Sequence, residues 1–77
     1  MKPANGSHTL ASNGQSQTWT MTSTGATSSF DTWTYDATLD LYVADHHQCV
    51  VKFVDSTNFR ALVGTPPNYT IFNGTYS

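Results

Sequence analysis

Glutamate is absent from this 77-residue chain, cysteine occurs once, and only 10% of the residues are charged. Each shortage excludes something. A lone Cys49 rules out an internal disulfide. A chain this short buries only about 60% of its unfolded surface, so its support must come from metal, from partners or from a marginal core. Three basic residues, Lys2, Lys52 and Arg60, stand against five aspartates. That is too little positive charge to grip a nucleic-acid backbone or an anionic membrane, and neither is expected as a partner. No apolar run approaches the roughly 18 residues of a spanning helix, and the opening "MKPANGSHTL" lacks the apolar stretch of a secretory leader. The expected setting is a virion or, failing that, a soluble and extracellular one.

Polarity comes instead from 13 threonines, 8 serines, 5 asparagines and 3 glutamines. Neutral hydroxyls and amides are cheaper to strip of water than ions, so such a surface suits coverage by other protein, or a secreted binding module. Asn5, Asn68 and Asn73 each head an Asn-x-Ser/Thr triplet, a number little above chance for this composition.

Residues 1–17 hold one large aliphatic side chain, Leu10. They read as an extended polar arm, followed by a single all-β domain over 18–77. Trp19 and Met21 alternate with threonines, and "STGATSS" then marks a loop. From Trp33 to Val43 the alternation is sustained, predicting one strand of about 11 residues with Trp33, Tyr35, Ala37, Leu39, Leu41 and Val43 facing the core. A three-residue loop at 45–47 would set Val43 opposite Cys49, Leu41 opposite Val51 and Asp40 opposite Lys52.

The later segments "QCVVKFV" and "FRALV" are apolar on both faces, through Val50, Val54 and Leu62. Strands of that kind are usually covered on both sides. "GTPPN" ends one strand, "YTIF" supplies a fifth, and Asn73-Gly74 is a hairpin signal. The expected fold is all-β: a small antiparallel sandwich or partly open barrel of about five strands with an extended N-terminal arm.

Motifs for chemistry are sparse. "DHHQC" offers Asp45, His46, His47 and Cys49, but in extended chain only His47 and Cys49 share a face. Zinc prefers four ligands, so no metal site is expected. Asp36 and Asp40, if on one strand, lie roughly 13 Å apart, beyond the 5 to 9.5 Å or so of a glycosidase pair. Neither a nucleophile elbow nor a phosphate-binding glycine loop occurs, and neither enzymatic activity nor a cofactor is expected.

The leading expectation is therefore a structural or assembly subunit, a small virus or bacteriophage virion protein such as a capsid decoration or tail component. It would act as an oligomer, or within a larger assembly, through Leu10, Val50, Val54, Leu62 and Phe72. The alternative is a carbohydrate-binding, lectin-like module with Tyr42 as an exposed floor beside Asp36 and Asp40. A third reading is a small regulator that pairs with a partner along a sheet edge.

Overall fold

The computed structural model describes residues 1–77. It holds eight strands and no helix: β1 Gly6–Ser12, β2 Gln15–Met21, β3 Gly25–Thr27, β4 Thr32–Asp36, β5 Leu41–Ala44, β6 Cys49–Phe53, β7 Asn58–Thr65 and β8 Asn68–Tyr76. Each strand pairs antiparallel with the next, and β8 pairs with β1, so the sheet closes into a barrel. The all-β antiparallel expectation holds. The strand count was too low, and the barrel is closed, not partly open.

Three turns account for the difference. The first joins β1 to β2 through Asn13 and Gly14, both at positive φ (52° and 76°), the geometry of a tight two-residue hairpin. Residues 6–12 pair in full with 15–21, so the expected arm is the first hairpin of the barrel. Its polarity misled because eight of the fourteen residues of the β1–β2 ladder are exposed to water, while Leu10 alone supplies a large aliphatic group to the interior.

The second turn breaks the long strand expected over 33–43. The Asp36 carboxylate accepts hydrogen bonds from the backbone N–H of Thr38 (3.0 Å) and Leu39 (3.1 Å), and Asp40 adopts φ 56°. An aspartate that caps its own downstream backbone favours a turn over a ladder. The chain reverses, Tyr35 pairs with Tyr42, and the inward face changes phase: Tyr42 and Ala44 are buried whereas Leu39 and Val43 are exposed. The β5/β6 register accordingly moves by one residue, with Tyr42 opposite Val51 and Val43 opposite Val50. The Asp40–Lys52 pair expected from the other register forms nonetheless, at 3.5 Å.

In the third turn Thr65 pairs with Asn68 around Pro66-Pro67. From there β8 runs unbroken through Asn73-Gly74, where no hairpin forms. Gly74 lies opposite Phe59, and a side chain at 74 would run into the Phe59 ring.

Thirteen buried residues form one core inside the barrel. Trp19 stacks on Trp33 with ring centres 4.3 Å apart, and Phe53 meets Trp19, Tyr42 and Tyr76 edge-on at 5.8, 5.4 and 4.8 Å. Offset and edge-to-face contacts are the favoured arrangements of such rings, and they let a 77-residue chain build the core of an eight-stranded barrel from few, large side chains.

Candidate functional site

Because the core is inside, every second residue of each strand faces out. The register aligns these outward residues into rows around the wall. On the first four strands one row reads Ser7, Thr20, Thr27, Thr32. On the last four it reads Val43, Val50, Leu62, Ile71. Val43 is 39% and Ile71 53% exposed, with Val50 and Leu62 half-buried between them. Toward one end of the barrel this aliphatic row opens into a groove of about 680 Å³ that Gly64, Pro66, Tyr69, His46 and His47 help to line.

At that end the β5–β6 loop is pinned by a residue the sequence did not point to. Asp31 is buried. Its carboxylate accepts hydrogen bonds from the backbone N–H of Thr32 (2.7 Å) and of His46 (2.8 Å), and it contacts Nδ1 of both His46 and His47 at 2.8 Å. Burial by itself would push this carboxyl up. The side-chain and backbone bonds from His46, the bond from His47 and that from Thr32 prevail and hold it well below the usual carboxylate range. In return the hydrogen bond and charge of Asp31 raise the His46 imidazole above its ordinary value.

Two opposite charges flank the aliphatic row and find no ionic partner in the chain. On one side Asp45 accepts the hydroxyls of Thr32 (2.7 Å) and Thr34 (2.8 Å). On the other, Arg60 Nε donates to Asn73 (3.2 Å). All of the chain's ion pairs fall on Asp31 or Asp40 instead.

The structure divides the residues singled out from sequence. Val50 and Leu62 sit side by side on the aliphatic row. Val54 is 51% exposed beyond the end of β6, separated from the row by Lys52. Leu10 is only 4% exposed and belongs to the core, and Phe72 packs inward against it. Tyr42, expected as an exposed sugar platform, is 1% exposed. Burial pushes its phenol up to about 12, and the hydroxyl has no hydrogen-bond partner.

Asp36 caps its turn, while Asp40 accepts the Tyr35 hydroxyl at 2.8 Å and contacts the Met1 ammonium. These three therefore do not share a surface. The phase change at Asp36–Asp40 is what carried Tyr42 inside. His46 and His47 meet at Asp31, Cys49 is buried, and no group of three or more His, Cys, Asp or Glu side chains is arranged so that it could hold a metal ion. Ile71 was overlooked because "YTIF" shows which residues alternate but not which of the two faces is inward.

No family model matches the chain, and no curated protein or solved structure matches it.

Proposed function

We propose that this protein is an assembly subunit, and that the face built on Val43, Val50, Leu62 and Ile71 is covered by a second copy of the chain. The observation that carries the proposal is the aliphatic row itself. The barrel already has an apolar core of thirteen residues inside, so folding does not require apolar residues outside, and water contact with them is unfavourable by about 25 cal/mol per Å². Closure of the barrel leaves no free strand edge, which favours face-to-face packing over strand addition.

Charge supports a copy of the same chain as the occupant. Turning a second molecule by half a revolution about the line of the row brings its Arg60 side over the Asp45 side of the first, giving each unpaired charge an opposite one. Area is sufficient as well. A standard interface of about 800 Å² per partner is roughly a sixth of the 4691 Å² that the chain exposes. The charge-poor, hydroxyl-rich composition supports the finer reading, a component of a virus or bacteriophage particle, where most of a subunit's surface ends against neighbours.

Light scattering on the wild type and on the double variant Leu62→Asn/Ile71→Thr tests the proposal. Both positions face out, so the variant is expected to keep its melting temperature and to run as a monomer while the wild type runs as a dimer or larger. A wild type that stays monomeric at every accessible concentration sinks the reading. The charge-reversed pair Arg60→Glu/Asp45→Arg identifies the occupant: each single change is expected to weaken association and the double change to restore it.

A further inference from the structure

The two ends of the barrel are finished differently. At one end the turns that follow β2, β4 and β6 gather with the first residues of the chain. There Lys2 donates to the Thr22 carbonyl (3.0 Å), Tyr35 to Asp40 (2.8 Å) and Tyr76 to the Asp55 carbonyl (2.5 Å). Polar groups close that end. At the other, between the turns that follow β1, β3, β5 and β7, a cavity of about 460 Å³ enters the interior. Its floor is the stacked pair Trp19 and Trp33. Phe30 and Val63 stand at its lip, 44% and 39% exposed.

Rings run from the floor of this cavity to its lip in near-parallel order and continue onto His47, which lies outside the lining. Trp19 lies on Trp33 at 28°, Phe30 on Trp33 at 30° with centres 6.0 Å apart, and His47 on Phe30 at 22° and 4.1 Å. Asp31 holds His47 in place through Nδ1. Phe30 lies in the bend between β3 and β4, outside the ladder, so its ring can give way without breaking strand pairing. Ser12 from β1 and Gln15 and Gln17 from β2 also line it, and no charged side chain is among its lining residues. Gln17 uses its Oε1 to accept the Trp19 indole N–H (3.0 Å), which leaves its amide NH₂ free to donate.

We infer that this mouth binds a small, neutral, flat aromatic molecule, its body against Phe30, Val63 and Trp33 and its hydrogen-bonding edge toward Gln15 and Gln17. The volume falls in the range of small-ligand pockets, and the mouth of an eight-stranded barrel is a recurrent place for one. Neutrality follows from the lining, because an ion would shed its water with no counter-charge to replace it. Flatness follows from the rings in the lining, Trp19, Trp33, Phe30 and Phe72, against which an aromatic guest packs offset or edge-on. Amides on one side only give the guest a direction. This site faces the barrel axis and is separate from the aliphatic row on the outer wall.

The test is titration of the full chain with N-phenyl-1-naphthylamine, a neutral aromatic probe, following both its emission and quenching of the two tryptophans. Saturable one-to-one binding is expected, with at least a ten-fold loss of affinity in Val63→Asp, in Phe30→Ala, or in both, each checked for an intact near-ultraviolet dichroism spectrum. The outer-wall variant Leu62→Asn/Ile71→Thr is expected to bind as wild type does. The sulfonated analogue 1-anilinonaphthalene-8-sulfonate is expected to bind at least ten-fold more weakly. Absence of saturable binding by the wild type overturns the inference, as does tight binding of the sulfonate, loss of binding in the outer-wall variant, or folded mouth variants that both bind normally.

Discussion

The first and last four strands of the barrel are alike inside and unlike outside. Inward, both halves carry large packed side chains: Trp19, Met21 and Trp33 in one, Tyr42, Val51, Phe53 and Phe59 in the other. Outward, the first half shows Ser7, Thr20, Thr27 and Thr32 where the second shows Val43, Val50, Leu62 and Ile71. Since one half folds with hydroxyls on its outer wall, the aliphatic residues of the other half are not demanded by the barrel. On the assembly reading proposed above, they answer to a second copy of the chain. The two halves meet where Asp31, just before β4, takes hold of His46 and His47, just after β5.

The sharpest way to break this comparison is from within. Trp19→Ala removes the ring on which Trp33, Tyr42 and Phe53 all pack, and a loss of about 3 to 5 kcal/mol is expected in denaturant unfolding. A loss no larger than that of an outward residue would show that inside and outside are not the distinct environments described. Next comes the junction. Asp31→Ala strips four polar contacts of their acceptor, and a fall in melting temperature second only to that of Trp19→Ala is expected.

The same junction sets a pH dependence. Folding raises His46, so its contribution is complete below the unfolded value near 6.5 and is lost as pH rises through the folded one. Folding lowers Asp31, so its contribution is present above the unfolded value of 3.8 and is lost as pH falls toward the folded one. Thermal melts of the wild type should therefore be highest between about pH 4 and 6.5, and the upper flank should flatten in His46→Gln.

Smaller effects sharpen the contrast. Tyr42→Phe deletes a buried hydroxyl with no partner and is expected to leave stability unchanged or raise it by about 1 kcal/mol. A clear loss in chemical denaturation would reveal a bond to that hydroxyl. Smallest of all, Thr20→Val places a methyl in the hydroxyl row and is expected to shift stability by no more than about 0.5 kcal/mol. Its informative readout is solution mass: a single valine among hydroxyls should not produce a dimer, because four aligned aliphatic residues make the face.

These contrasts also explain what the sequence did and did not disclose. Period-two patterning and β-rich composition made the all-β class legible, and Trp19, Met21, Trp33 and Tyr35 were assigned to the inner face on which they lie. The alternation signal failed where the outer wall is itself apolar. With Leu39, Leu41 and Val43 all greasy, nothing in the pattern marks a change of phase, and only the Asp36 cap and the positive φ of Asp40 reveal it. The first hairpin was hidden for the opposite reason, since its strands carry so few apolar residues that residues 1–17 read as an extended polar arm. Asp31 was beyond reach because its partners lie 15 and 16 residues away, with no motif to link them. Val50 and Leu62 were singled out as the apolar second face of their strands; that they are neighbours of Val43 and Ile71 is a property of register.

One feature of the ladder governs how such a molecule is made. Seven of its eight seams join strands adjacent along the chain, and the eighth, between β1 and β8, rests on Leu10 with Tyr76 and Ala11 with Thr75. Zipping can thus proceed hairpin by hairpin over short loops, at small entropic cost, until a curled ribbon has only its two margins left to join. That final joining is the one step at which distant parts of the polypeptide must find each other.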